Sequence, residues 1–518
     1  MPPPMPARTF TLSQLGINGR LIEVESDISN GLPCFNLIGL VDAAAGEAKE
    51  RVRVAIRNSG FAFPLRRITT NLAPANLPKA GSGFDLAIAL SLLAANQELK
   101  LPKQTIMLGE LSLEGSLRPI NGVLPLVASA YQLGFRQVFL PAANFAEAQL
   151  LKGADLKILP FADLKTAVSF CQGKVDPAQL QQLQQAPRGT KTSNQLAAPQ
   201  NLPLIKGQEQ AKRACLIAAA GRHNLLLWGP PGSGKTMLAR YFAQLLPPLD
   251  DESALAVTKI FSIRGLVTPQ EPLIRQAPFR PVHPTISSAA LCGGGMPILP
   301  GEISLAHKGV LFLDEITEFP RFLLELLRQP LEDKNIYLAR SRERLSYPAD
   351  FQLLASCNPC PCGFYTDLEK PCTCSPAMIA RYQKKLSGPF LDRIDLQVYV
   401  PRLGSEELTN ELDYQSELAL LQKRQKLIQQ AQGQNDKVQQ GLFSNSQTSL
   451  ANLTKPAAEL LKTAIDRYRL SPRAYDRILK VALTIARLKQ AKTIAETSLA
   501  EALQYRLRHN FQEDPAHC

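Results

Sequence analysis

Eight consecutive residues, Gly229, Pro230, Pro231, Gly232, Ser233, Gly234, Lys235 and Thr236, fit the pattern G-x-x-x-x-G-K-[ST] at every fixed position. Each residue type has a use against a polyphosphate. Gly232 and Gly234 let the backbone turn its N–H groups inward, where a Cβ would obstruct them. The Lys235 ammonium suits the β- and γ-oxygens, the Thr236 hydroxyl suits Mg2+, and a following helix points its positive end at the anion. The competing reading is a chance glycine-rich loop. The flanks weigh against it, because Asn224–Trp228 is a short apolar run and Met237–Leu246 has helical periodicity. The pattern predicts a nucleoside-triphosphate site.

Further along, Gly309-Val-Leu-Phe-Leu-Asp-Glu315 ends an apolar run in two adjacent carboxylates. Asp314 is placed to hold Mg2+, and Glu315 to polarise an attacking water. Such a strand ending is common alone and specific downstream of a phosphate loop. A second apolar run, Phe351–Ser356, leads to Asn358. Cysteines crowd just there: Cys357, Cys360 and Cys362, then nine residues, then Cys372 and Cys374. Four thiolates from two C-x-C elements could close a tetrahedral Zn2+ site, with Cys360, Cys362, Cys372 and Cys374 as the favoured set. Reduced structural cysteines are the alternative. Arg393 sits in Gly388–Asp395, where it could reach a neighbour's γ-phosphate or simply pair with Asp392. Ser471 and Pro472 read as a cap and first turn, which places Arg473 at a helix start within reach of a nucleotide.

The elements that must position these residues fall into four segments. Residues 1–171 alternate short strand-like runs (Thr9–Leu12, Leu21–Val24, Gln137–Leu140) with helical patterns (Asp42–Ser59, Phe84–Leu99, Pro125–Leu133), as an α+β or α/β domain does. Residues 172–201 are rich in Gln, Pro, Ser and Thr and read as a linker. Residues 202–402 carry the nucleotide motifs on an α/β pattern. Thr258–Leu305 interrupts it as a long Gly/Pro-rich insertion. After Asp314, Arg321–Glu332 is expected as one amphipathic helix, and Asn335–Pro348 as a hairpin with Arg340, Arg342 and Arg344 near its tip. Residues 403–518 are helical: a long helix Leu408–Gln432, a polar break Gly433–Gln447, then helices near Lys455–Arg469, Pro472–Lys489 and Ile494–Tyr505.

The chain has 518 residues, a formal net charge of +13 and a pI near 9.2, which permits a polyanionic partner without requiring one. No run of 18 apolar residues and no signal-like start is present, so a cytoplasmic protein with no membrane partner is expected.

Phosphate loop, Asp-Glu strand, Asn358, Arg393 and Arg473 together resemble an AAA+ ATPase. The resemblance is closer to the magnesium-chelatase-like ATPases of the YifB/ComM family, through Leu108–Leu111, Ile205–Gln208, Gly301–Gly309, Leu327–Glu332, Asn358–Gly363, Leu386–Pro389 and Ser471–Ala474. It implies a homo-hexameric ring using ATP and Mg2+. Gly207 and Gln208 would line the adenine pocket, Asn358 would be the first sensor, Arg393 the trans arginine finger and Arg473 the second sensor. It also implies a motor on single-stranded or branched DNA that promotes branch migration in natural transformation, with recombination proteins as further partners. Arg340, Arg342 and Arg344 then fit a pore-facing hairpin gripping phosphates; a charged tip in solvent is the bland alternative. The segment 1–171 resembles the Lon-protease C-terminal fold, with Gly83 at the serine position, Ser82 one residue early and Leu124 at the lysine position, which implies a non-proteolytic relative. The rival reading is a magnesium-chelatase motor subunit or a protein-remodelling ATPase acting on a partner protein. By the resemblance, chelatase motors lack the Lon-like segment.

Overall fold

The computed structural model describes residues 6–39, 47–75, 79, 83–97, 99–151, 155–176, 180, 205–295, 297–340, 343–365, 367, 369–404, 407, 409, 413–442 and 453–507, with backbone only at 339, 340, 343, 344, 434–442 and 507. Nearly all of the expected linker lies outside the described residues.

The N-terminal segment contains β1 (Ala7–Leu15), β2 (Asn18–Ser29), β3 (Cys34–Ile38), α1 (Ala48–Asn58), β4 (Arg67–Ala73), α2 (Asp85–Ala95), β5 (Thr105–Met107), α3 (Val123–Gln132), β6 (Gln137–Pro141) and β7 (Lys157–Phe161). They form a mixed seven-stranded sheet in the order β3-β4-β2-β1-β5-β6-β7. In β2 the alternating residues Ile22, Val24 and Ser26 are buried, the period-2 pattern of a strand with one covered face. Helix α2 is buried at every residue from Asp85 to Leu93, which matches its almost unbroken apolar run.

The central segment runs α4 (Glu209–Gly221), β8 (Leu225–Trp228), α5 (Lys235–Leu245), α6 (Asp251–Ile263), β9 (Phe279–Val282), β10 (Val310–Leu313), α7 (Arg321–Leu326), α8 (Arg328–Asp333), β11 (Asn335–Arg340), β12 (Glu343–Pro348), β13 (Gln352–Cys357), α9 (Pro376–Gln383) and β14 (Leu396–Tyr399). Strands β9-β10-β13-β8-β14 form one parallel sheet. Its strands are apolar runs because helices cover both faces. The C-terminal segment is helical: α10 (Tyr414–Leu442), α11 (Lys455–Tyr468), α12 (Pro472–Leu488) and α13 (Glu496–Leu507). Leu421, Ile428, Leu461, Ile478 and Leu499 share one apolar core with α4, β8 and β14, so these helices are fastened to the sheet layer.

Three local expectations are corrected. The Thr258–Leu305 stretch is not an irregular excursion: its start closes α6, and β9 forms the edge of the parallel sheet beside β10. The single helix over Arg321–Glu332 is two pieces meeting at Leu327, because Pro330 has no N–H to give and its ring crowds the carbonyl of Leu326. The polar break after Gln432 does not begin at Gly433; α10 continues to Leu442, since a lone glycine costs a helix only about 1 kcal/mol.

The N-terminal segment contacts the central one where α3 meets α6: the Gly122 N–H donates to the Ser262 carbonyl at 3.0 Å. No described helix is long and apolar enough to cross a membrane.

Candidate nucleotide site

A parallel sheet presents its ligand site at the C-terminal ends of its strands, where strand order reverses. Here β8, β13 and β10 are neighbours, and the residues just past them are the phosphate loop, Asn358 and Asp314. Three stretches distant in sequence therefore meet along one sheet edge. Gly232 and Gly234 have φ of 77° and 89°, in the left-handed region that a side chain disfavours. That conformation opens the loop ahead of α5.

Lys235 is 9% exposed. Its Nζ donates to the carbonyls of Gly229 (2.9 Å) and Pro230 (2.8 Å) and to Oδ1 of Asn358 (3.1 Å). Burial pushes its pKa down, while Asp314 and Glu315 pull the other way. Thr236 Oγ1 donates to Asp314 Oδ2 at 3.0 Å, so a hydroxyl and a carboxylate suited to Mg2+ already face each other. Glu315 is exposed and holds φ at 52°. A non-glycine residue in that region costs about 1–2 kcal/mol, the kind of strain that gathers at functional carboxylates.

Sequence reasoning missed Ser356. This buried residue at the end of β13 bonds Asp314 Oδ1 through its hydroxyl and accepts the Glu315 N–H at 3.1 Å. The available signal was a hydroxyl in an otherwise apolar strand. Gln208 Nε2 donates to the carbonyls of Pro401 (2.7 Å) and Ser233 (3.4 Å). Gly207 and Gln208, both at positive φ, thus tie the phosphate loop to the exit of β14.

The cysteine loop forms an outer wall of this site. Cys360 Sγ lies 3.3 Å from Cys362 Sγ and 3.7 Å from Cys372 Sγ, and Cys362 lies 3.5 Å from Cys372. With Cys374, all four sulfurs lie within 4.8 Å of one another. Tetrahedral Zn2+ with Zn–S bonds of about 2.3 Å requires sulfurs about 3.8 Å apart, so the four residues fit that ion. Burial pushes the Cys362 thiol up, but the N–H groups of Phe364 and Thr373 and the neighbouring thiols outweigh it and bring it down to about 5. Cys357 stands apart, buried, its thiol pushed up to about 12. Gly363 packs so closely on the phosphate loop that a Cβ there would come 2.6 Å from Pro231 Cδ. Arg402 lies over the Phe364 ring and pairs with Asp367 at 3.3 Å, which closes the loop against the chain leaving β14.

The two arginines expected to act on nucleotide converge elsewhere. Arg393 Nη2 is 2.6 Å from Glu332 Oε1, and Arg473 Nη2 is 3.9 Å from the same oxygen. Arg393 is buried while the Arg473 side chain is 66% exposed. Ser471 caps α12 as its sequence indicates, accepting the Ala474 N–H at 3.2 Å. Among the hairpin arginines, Arg342 and the side chains of Arg340 and Arg344 lie outside the described residues.

In the N-terminal segment Leu124 is fully buried and its N–H donates to Glu147 Oε1 at 3.0 Å. Neither Gly83 nor Leu124 offers a base, and Ser82 lies outside the described residues. The nearby Lys79, which sequence reasoning passed over, is fully buried with its ammonium on the Pro74 carbonyl.

Three family models match the chain: magnesium chelatase, subunit ChlI, over residues 201–408; subunit ChlI of Mg-chelatase, over 24–144; and magnesium chelatase, subunit ChlI C-terminal, over 419–506. Because a ChlI model covers 24–144, the N-terminal segment does not set this chain apart from chelatase motors as expected. The competence protein ComM of Haemophilus influenzae is 40% identical over 506 residues, 96% of this chain and 97% of that protein. YifB of Salmonella typhimurium is 40% identical over 504 residues, 96% and 97% of the two chains. Lon protease 2 of Bacillus subtilis is 30% identical over 154 residues, 27% of this chain and 26% of its own.

Proposed function

The chain belongs to the magnesium-chelatase subunit ChlI family, with YifB and ComM among its members, and on that premise we propose that this AAA+ ATPase works as a ring-shaped motor on DNA, a ComM-like branch-migration activity in natural transformation and homologous recombination. The observation that carries the reading is the convergence of Lys235, Thr236, Asp314 and Asn358 on one sheet edge, in a chain alike to a competence protein along nearly its whole length.

The loop N–H groups and Lys235 would hold the β- and γ-phosphates of ATP; Thr236 and Asp314 would hold Mg2+, whose charge offsets that developing on the phosphates. Glu315 is the base that polarises the attacking water, and Asn358 orients it. In a hexamer, a neighbour's γ-phosphate would replace Glu332 as the partner of Arg393 and Arg473, which lets ATP binding act across the subunit boundary. Arg340, Arg342 and Arg344 would grip the DNA backbone, a sequence-independent contact that weakens with salt.

The test is ATP hydrolysis by the purified protein with and without single-stranded and forked DNA, beside a Lys235→Ala control. Stimulation by DNA that is lost in the control, and reduced when the hairpin arginines are replaced, supports the reading. Hydrolysis indifferent to DNA, with no binding at low salt, overturns it in favour of a motor acting on a partner protein.

A further inference from the structure

At the opposite edge of the parallel sheet lies a second cavity, of about 490 Å³, lined by residues that precede the strands, such as Asn224 before β8 and Asp395 before β14. The four residues of β8, roughly 13 Å of strand, separate this edge from the phosphate loop. Helix α12 roofs it. Arg473, Arg477, Lys480, Thr484 and Arg487 recur at spacings of four and three, which puts them on one helix face, and the last four line the cavity.

The charges do not balance. Six cations line the cavity against three carboxylates, those of Asp250, Asp350 and Asp395. Asp350 alone is shared by three cations: Lys308 at 2.8 Å, Lys334 at 3.2 Å and Arg222 at 3.3 Å. One carboxylate can neutralise one of them. Asp395 is taken by Arg477 at 2.6 Å, and Asp250 caps α6 by accepting the Ser253 N–H. Arg487 is half-buried, and among the described residues no carboxylate pairs with it. The imidazole between these groups, His223, adds no charge: burial pushes its pKa down to about 4, and its Nε2 is bonded to Thr484 at 2.8 Å. A concave site with surplus charge of one sign focuses potential and concentrates counter-ions.

We propose that this cavity is a second anion site, taking a phosphate-bearing ligand of several negative charges between Lys334, the Arg222–Lys308 pair and the Lys480–Arg487 end of α12. Its volume suits a small ligand, and a guanidinium and ammonium set is the chemistry that holds oligophosphate oxygens. The same phosphates could belong to a free oligophosphate or to a nucleic-acid strand. Because the site joins the sheet to α12, which carries Arg473, occupancy would bias the position of that arginine.

The test keeps the full chain and fills the phosphate loop with saturating ADP and Mg2+. Tripolyphosphate is then titrated calorimetrically at low salt, and a short single-stranded oligonucleotide in a parallel arm. One further tripolyphosphate per chain is expected, weakened about tenfold by Arg487→Gln and again by Lys334→Gln, since a charge-assisted hydrogen bond is worth about 1.5–3 kcal/mol. Lys334 is exposed, so its replacement leaves the fold intact. An oligonucleotide that binds instead, with the same dependence on both residues, upholds the site and identifies the source as a strand. No binding in either arm, or binding that both variants leave unchanged, overturns it. The result is independent of whether DNA stimulates hydrolysis.

Discussion

Replacing Ser356 by alanine removes one oxygen from a fully buried position and leaves every contact of Lys235 intact. The lost hydroxyl bonds Asp314 Oδ1 and accepts the Glu315 N–H, so a single deletion loosens the magnesium ligand and the base together. A hydrogen bond to a carboxylate contributes about 1.5–3 kcal/mol. If that is expressed in the transition state, kcat falls roughly tenfold to a hundredfold. Asp314 keeps its bond to Thr236, so the residual rate stays above that of a Lys235→Ala protein. The loss should fall on kcat, with KM for ATP little changed, because the phosphate-binding groups are untouched. Steady-state hydrolysis, measured across ATP and free Mg2+ concentrations, should also show a raised Mg2+ requirement. A kcat within twofold of the parent, or a loss confined to KM for ATP, would refute the assignment of Ser356 as the residue that holds both carboxylates in place.

Two other outcomes follow from the geometry. Purified protein should carry one Zn2+ per chain, and removing it with a chelator should raise KM for ATP roughly tenfold, the loss of about 1.4 kcal/mol of contact, because Gly363 and Asn358 anchor the cysteine loop against the phosphate loop. Metal-free protein as isolated, or an unchanged KM after stripping, would count against this. The second outcome concerns acid. Burial pushes His223 and His307 down to about 4, so both are neutral when folded and gain a proton on unfolding. Their contribution is complete above the unfolded pKa near 6.5 and is lost as pH falls towards 4, up to about 3 kcal/mol for each. Denaturant unfolding between pH 7.5 and 5 should show the decline, and His223→Asn should flatten it; a stability that does not change over that range would show that these two histidines are not the cause.

The chemistry of the site was legible in the chain because it depends on local grammar. A glycine-rich turn between an apolar strand and a helix, an Asp-Glu strand ending, and a Ser-Pro helix start each act within a few residues, so their spacing identifies them. The cysteine set was legible for the same reason. Errors came where a local rule met a competing one, as at Pro330, which splits a helix that the periodicity alone would continue.

What the sequence by itself determined was the identity of the groups that meet phosphate and Mg2+, and the strands and helices that carry them. Only the tertiary structure decided which groups meet each other. The order β9-β10-β13-β8-β14 brings Asn358 beside Lys235 and Ser356 beside Asp314, and no spacing along the chain encodes that adjacency. Likewise the Glu332 contact of Arg393 and Arg473, and the three cations gathered on Asp350, arise from elements that pack together although they lie far apart in sequence. Hydrogen bonds and ion pairs act over a few ångströms of space, and space between distant segments is set by the fold.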